Sequence, residues 1–288
     1  MKKLIVILAA VVLFGGFARA GTWTTLDVPG AIQTRIRDID GGNLVGYYLD
    51  NSGLRHGFIR SGTTWTTLDV PGASYTYAYS IDGSNIVGYY QDASLHSYGF
   101  LYNVTAQSWT DIPITGLGID GDNIVGDNQI YNMATQTTTT LNRPGASGTT
   151  IYGISGNNVV GHSDPPPESI GYNGGFLYNG TTWTTLQAPG EPAPVDTWVT
   201  DIDGGNIVGY YRVWGDHGFL YNGTKWTILD APGATFTKIW GIDGYILVGS
   251  YQDGAGIDHG FVYEIPEPAS VLLFIVGAGV LGLRRKRG

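Results

Sequence analysis

From residue 33 to residue 264 the chain repeats one arrangement of apolar and polar positions. A stretch such as SYTYAYSI alternates, with Tyr75, Tyr77, Tyr79 and Ile81 on one side and Thr76, Ala78 and Ser80 on the other. That period of two predicts a strand. A tight Asp-Gly-x-Asn turn follows, then NIVGYY, a run rich in β-branched and aromatic residues. After a connection of variable length comes a Gly-Phe-aliphatic phrase, GFLY. An Asn-Gly turn then leads into WTTLDV, and Pro-Gly closes the unit. Each unit predicts four short strands.

The turn phrase recurs six times, as IDGGNLVGYY from Ile39, IDGSNIVGYY from Ile81, IDGDNIVGDN from Ile119, ISGNNVVGHS from Ile154, IDGGNIVGYY from Ile202 and IDGYILVGSY from Ile242. Four-stranded units of about 40 residues, six in number, predict an all-β, six-bladed β-propeller. The frame of the repeat predicts how the ring closes. WTTLDV at Trp23 is a fourth strand with no unit before it, and the last unit stops at its third strand, HGFVYE. Trp23–Val28 should therefore pair beside Phe261–Glu264. A β-solenoid is the alternative architecture, but an open array needs no split unit.

The ends differ from this pattern. Residues 1–20 carry Lys2 and Lys3, an apolar run from Leu4 to Phe14, and Ala18-Arg19-Ala20, the three parts of a secretory signal peptide. The expected domain order is signal peptide 1–20, repeat domain 21–264 and terminal segment 265–288. The run Ala269–Leu283 is uncharged, and as a helix it is about 22 Å long, short of the ~30 Å hydrocarbon core. Arg284, Arg285, Lys286 and Arg287 follow it and should stop transfer and hold a cytoplasmic orientation. The expectation is a single, marginal transmembrane helix.

Pro266-Glu267-Pro268, a short apolar helix and terminal arginines together resemble the bacterial PEP-CTERM sorting signal. The resemblance implies that Pro266, Glu267 and Pro268 are recognised by a membrane transpeptidase, an exosortase. It would remove the tail and deliver the chain to the cell surface or to extracellular polysaccharide. An ordinary single-span anchor is the alternative. The repeats resemble the extracellular HAF-type repeat, with Gly57, Gly99, Gly175, Gly218 and Gly260 where Ala is common in that family. That resemblance speaks to architecture rather than to activity.

Charge sharpens the picture. Seven of the 15 basic residues lie in the two terminal segments, so residues 21–268 carry eight against 24 acidic ones, a formal net charge of −16. Binding to nucleic acid by phosphate neutralisation is excluded. There is no cysteine, which removes thiol catalysis, disulfides and thiolate metal sites.

The strand-joining turns hardly vary, whereas the connections after the second and fourth strands diverge in length and content. In an antiparallel blade these divergent connections share one face of the disc. Tyr75, Tyr172, Trp198, Trp214 and Phe236 fall in or beside them and form the candidate binding face, since aromatic rings stack on sugars. The same rings could simply cover blade edges. The pairs Asp38/Asp40, Asp120/Asp122 and Asp201/Asp203 invite a structural calcium reading, but no EF-hand loop is completed, and tight turns want Asp and Gly in any case. No cofactor is expected. His56, His217 and His259 hold one repeat position and should lie in separate blades. The function expected is a non-catalytic surface or matrix module. The alternative is a secreted, sialidase-like propeller glycosidase. Arg35, Arg37, Arg55, Arg60, Arg143 and Arg212 would have to supply its arginine triad, and Glu168, Glu191 and Glu264 its acid.

Overall fold

The computed structural model describes residues 21–166, 173–190 and 195–266. The segments 1–20 and 267–288 lie outside it. With them lie the expected signal peptide, the apolar run, the terminal basic cluster, and Glu267 and Pro268 of the tripeptide. Tyr172, Glu168 and Glu191 also lie outside. Among the described residues no helix is long and apolar enough to cross a membrane.

The described chain folds into six four-stranded antiparallel sheets. Blade I holds β2 (Gln33–Asp40), β3 (Asn43–Leu49), β4 (Arg55–Ser61) and β5 (Thr64–Leu68). Blade II holds β6 (Tyr75–Asp82) to β9 (Ser108–Ile112), and blade III β10 (Gly118–Asp120) to β13 (Thr137–Thr140). Blade IV runs from β14 (Gly148–Ser155) and β15 (Asn158–Asp164) to β17 (Trp183–Leu186). Blade V holds β18 (Asp196–Asp203), β19 (Asn206–Arg212), β20 (Asp216–Tyr221) and β21 (Trp226–Leu229). Blade VI is β22 (Phe236–Asp243), β23 (Ile246–Gln252), β24 (Asp258–Glu264) and, as its outer strand, β1 (Thr22–Thr25). The first strands adjoin one another around the ring, so the chain is a six-bladed β-propeller.

The repeated phrases encode one packing unit. Phe58, Phe100, Phe176, Phe219 and Phe261 of the Gly-Phe phrases are at most 1% exposed. In blade II the Phe100 ring packs on Gly88 of the neighbouring strand, where an added Cβ would lie 2.0 Å from the Tyr77 carbonyl oxygen and 2.8 Å from Phe100. The fourth-strand Trp meets the same ring edge-on, as in Phe58–Trp65 at 5.0 Å and Phe219–Trp226 at 4.9 Å. Val-Gly, Gly-Phe and Trp-Thr are thus three sides of one contact. Blade III has neither the Phe nor the Trp, and its strands are three or four residues long. Gly88→Ala is expected to destabilise the fold by about 1–3 kcal/mol through overpacking, read as a lowered denaturant midpoint with an unchanged m-value.

Closure follows the split unit. The ring of Trp23 packs on Phe261 at 4.9 Å and on Tyr263 at 4.6 Å. The Leu26 amide donates to the Gly260 carbonyl at 2.9 Å, and the Gly260 amide to Asp27 at 3.1 Å.

One local expectation is corrected. The first strands do not alternate throughout, because each long one carries a β-bulge, placed in β6 between Ala78 and Ser80. Ala78 pairs with Gly88 and Ile81 with Ile86, which puts Ile81 on the face of Thr76 and Ala78. There it packs with Ala78, Ile86 and Phe100, away from the tyrosines. The extra residue shifts the alternation by one.

Candidate functional site

The two faces of the disc are built differently. On the turn face, the tight turn of each first hairpin needs a left-handed residue, and Gly41, Gly83, Gly121, Gly156, Gly204 and Gly244 hold φ of 53–57° there, preceded by Asp in five blades and by Ser155 in blade IV. The Asp preceding that Gly reaches to the next blade. Asp40 accepts from the Gly83 amide at 2.7 Å, Asp82 from Gly121 at 2.7 Å and Asp120 from Gly156 at 2.6 Å. Asp203 accepts from Gly244 at 2.8 Å, and Asp243 joins blade VI to blade I through the Gly41 amide at 3.0 Å. The repeated Asp is therefore an inter-blade clasp, as well as a turn residue.

Asp38 and Asp201 lie deeper on this face. Asp38 accepts from the Ile39 and Ile81 amides and the Ser80 hydroxyl. Asp201 accepts from the Ile202 and Ile242 amides. Burial pushes Asp38 up to about 6, against the pull of its hydrogen bonds. Burial, followed by the Asp38 charge, raises Asp201 well above the carboxylate range. Among the described residues no cluster of three or more His, Cys, Asp or Glu side chains is placed to hold a metal ion.

The opposite face carries the divergent connections and a cleft of about 540 Å³ at blades V, VI and I. Its floor comes from β22 and β23, with Lys238, Trp240, Ser250 and Gln252. Its rim comes from the β19–β20 connection and the head of β22, with Trp214 and Phe236. Five rings were expected on this face. Trp214 and Phe236 line the cleft. Trp198 sits beside it, stacked on Tyr210 at 5.0 Å with the Arg212 guanidinium 5.0 Å from its ring. Tyr75 opens β6 in blade II and does not line the cleft. Tyr172 lies outside the described residues.

Trp214 is 96% exposed and has a left-handed backbone, φ 58°. Both features are unfavourable for a bulky side chain, and they are tolerated here at the mouth of a cleft. Trp214→Gly is expected to leave stability unchanged or raise it by up to about 1 kcal/mol, measured by thermal unfolding. A fall of several degrees would show that the ring packs on the body of the protein.

From sequence, Arg35 and Arg212 enter only among the arginines of the glycosidase alternative, and Asp216, Lys238 and Asp258 are not singled out. Arg212 Nε donates to Asp216 at 2.8 Å, and Lys238 Nζ lies 3.0 Å from the same carboxylate. Arg35 binds Asp258 through Nε at 2.8 Å and through its terminal nitrogen, and donates to the Tyr47 hydroxyl at 3.1 Å. The carboxylates lie beneath, with side chains 7% and 11% exposed, and the cations lie above, at 53% for Arg212 and 39% for Arg35. Burial works to raise Asp216, but the bonds from Arg212 and Lys238 outweigh it and hold its carboxyl below the ordinary range. Under the cleft, Arg37 is sandwiched between Trp240 at 3.7 Å and Tyr79 at 4.2 Å, its Nε buried without a hydrogen-bond partner among the described residues.

The histidines fall in separate blades. His56, His217 and His259 each place Nδ1 2.7–2.9 Å from a fourth-strand carboxylate, of Asp69, Asp230 and Asp27 respectively. The glycosidase arginines scatter too. Arg35 and Arg212 reach the cleft, whereas Arg143 bonds Ser163 and Thr185 in blade IV. The turns at Asn179 and Asn222 are explained by the Asn side chain, which accepts from backbone amides two and three residues on.

No protein-family profile and no curated protein sequence matches the chain. Solved structures do match. The β-propeller domain of the Trilobed protease from Pyrococcus furiosus, described as having an open velcro topology, superposes with a TM-score of 0.56 at 10% identity, over 81% of this chain and 94% of that one. Pyrococcus horikoshii acylaminoacyl peptidase gives 0.52 at 12% identity over 86% of this chain, which spans 46% of the peptidase. TolB from Acinetobacter baumannii gives 0.51 at 12% identity, over 82% of this chain and 65% of TolB. At such identities the likeness extends to the fold alone. The chain is similar in architecture to these structures, and its own last blade is closed by β1.

Proposed function

We propose that this is an exported, non-catalytic binding or structural module of the bacterial cell surface or extracellular matrix. Its expected N-terminal signal sends it out, and its tail, from Pro266 through the basic residues Arg284, Arg285, Lys286 and Arg287, holds it in the membrane until an exosortase-type transpeptidase acts at Pro266-Glu267-Pro268. Extracellular polysaccharide is the proposed partner. The observation that carries the binding reading is the cleft on the divergent face, rimmed by Trp214 and Phe236. An exposed, backbone-strained tryptophan at a cavity mouth has no packing role and suits stacking on a ligand ring.

The glycosidase reading draws no support from this cleft. A glycosidase acid needs a raised pKa on the substrate face. Asp216 is lowered and ion-paired, and Asp258 is bound by Arg35. The carboxyls that are raised, Asp38 and Asp201, sit on the turn face with their oxygens occupied by backbone amides.

Two measurements test the reading. Intact mass and C-terminal peptide mapping of protein from the host surface should find the chain ending near Pro266, and an intact 269–288 segment would remove the exosortase step. Extracted native exopolysaccharide should bind the purified chain. Failure to bind it, together with a blank glycan array, would remove the polysaccharide partner.

A further inference from the structure

We infer that the cleft at blades V, VI and I is a binding site for a carboxylate-bearing sugar unit of an acidic glycan, its ring on Trp214 and its carboxylate at Arg212 and Lys238. The assignment rests on the reading of the propeller as a ligand-binding module and gives that ligand a chemistry.

The charge is the first argument. Residues 21–268 carry a net charge of −16, so a positive cleft runs against the character of the whole surface. Among the residues that line the cleft, Arg212 and Lys238 share one carboxylate, Asp216, which leaves one cation in surplus there, while Asp196, opposite Arg212 in the β18–β19 pair, stands outside the lining. Arg35 and Asp258 cancel. The surplus is presented outward, because both carboxylates lie below their cations. Arg212 spends Nε and one terminal nitrogen on Asp216, and Lys238 one contact, so that among the described residues Arg212 Nη1 and the remaining ammonium protons are free to donate. A single surplus at the rim fits a singly charged carboxylate better than a dianionic phosphate.

Shape and polarity are the second argument. Trp214 and Phe236 offer exposed aromatic faces, 96% and 37% accessible, at the rim. The same cleft is lined by Ser250, Gln252 and Asp258, the donors and acceptors that ring hydroxyls require. Gln252 uses its amide nitrogen on Asp258 at 3.4 Å, which leaves its carbonyl oxygen to accept. An aromatic plate, a cationic end and a hydroxyl-binding floor in a cavity of about 540 Å³ match one hydroxylated ring with a carboxylate substituent. An acidic peptide would use the cations but not the hydroxyl-binding floor.

The test is calorimetric titration of the full chain in mild detergent with tetragalacturonate and tetraglucuronate, with the methyl ester of each, and with tetraglutamate. At least one uronate oligomer should bind, more weakly as salt rises. Its ester should bind at least about tenfold more weakly, and tetraglutamate not measurably. Lys238→Met leaves Asp216 its Arg212 bond, and Trp214→Ala touches only an exposed ring. Each should weaken uronate binding about tenfold, Trp214→Ala with an unchanged thermal midpoint and Lys238→Met with a midpoint lowered by only a few degrees, so that the chain stays folded in the titration. Equal binding of ester and acid would overturn the anionic assignment, and equal binding of tetraglutamate would overturn the sugar. Unaltered binding by both variants would place the site elsewhere. If neither uronate binds, the inference fails. Native exopolysaccharide titrated in the same cell then separates the cases: binding leaves the module reading standing, and no binding removes it too.

Discussion

Deleting residues 21–28 should leave a protein that no longer unfolds in one cooperative transition at the native midpoint. The deletion removes Trp23 from Phe261 and Tyr263, Asp27 from His259 and the Gly260 amide, and the Leu26 amide from the Gly260 carbonyl. It also strips β24 of its outer neighbour and turns a half-covered strand into an open edge, a template for aggregation. Trp23→Ala isolates the packing share, and its expected cost is about 3 kcal/mol by comparison with large-to-small aromatic substitutions. The control is Trp65→Ala, the equivalent Trp inside blade I, which packs on Phe58. Both should lower stability, but only the N-terminal changes should broaden the transition, because only they weaken the link between the two ends of the ring. If denaturant unfolding followed by tryptophan fluorescence and by circular dichroism stays coincident and unshifted after the deletion, β1 is not the closure. A second variant guards against simple failure to fold. It moves Thr22–Val28 behind Glu264 through an Asn-Gly-Thr turn like those of blades IV and V, and it should recover most of the lost stability.

This closure was legible in the sequence because a repeat that starts on its fourth strand and stops on its third leaves one strand spare. The turns and strand order were legible for the same reason: each is encoded by neighbours in sequence. What escaped is set by partners one blade away. The clasp between Asp82 and the Gly121 amide joins residues 39 apart, and that between Asp40 and Gly83 joins residues 43 apart. Locally, Asp-Gly already has a sufficient turn explanation, so nothing in the phrase points outward. The bulge in β6 escaped because no residue type marks it, and a perfect alternation such as YTYAYSI conceals it. The candidate site was half visible. Trp214 and Phe236 stand out as aromatics in divergent loops, whereas Arg35, Arg212 and Lys238 come from three separate blades and converge only in the ring. Eight basic residues spread over the domain look sparse along the chain, yet three of them line a single cleft.

Stability should be greatest at about pH 5 and should fall toward pH 8, the reverse of what a neutral optimum would give. The groups that decide this are Asp38, buried, and Asp201, half-buried, which line the same cavity on the turn face. Asp38 is raised to about 6 in the folded state, from an unfolded value near 4, and Asp201 is raised further by burial and by the Asp38 charge. A raised folded value means that the contribution is full below the unfolded pKa and is lost as pH climbs through the folded one. For Asp38 alone the full difference is roughly 3 kcal/mol, lost between about pH 4 and pH 6, so that about half of it remains to be lost above pH 5. His259 acts in the same direction. Burial lowers it, but the bonds to Asp27 and Asp253 outweigh that and raise it, so the closure pair weakens as the imidazolium loses its proton above its folded pKa. His162 opposes, because burial lowers it and its contribution is lost as pH falls below about 6.5. Asp216, Asp50, Asp92 and Asp253 are all lowered, so their contributions are lost only as pH falls below about 4, which sets the acid limit. Urea unfolding at pH 5, 6.5 and 8 reads the profile directly. Asp201→Ser, which installs the residue that blade II carries as Ser80 at the equivalent position, removes one of the two raised carboxyls and should flatten the slope between pH 5 and 8. An unchanged slope in that variant, or a flat profile in the native chain, would mean that the two carboxyls stay ionised in the fold and that the turn face is wetter than its geometry implies.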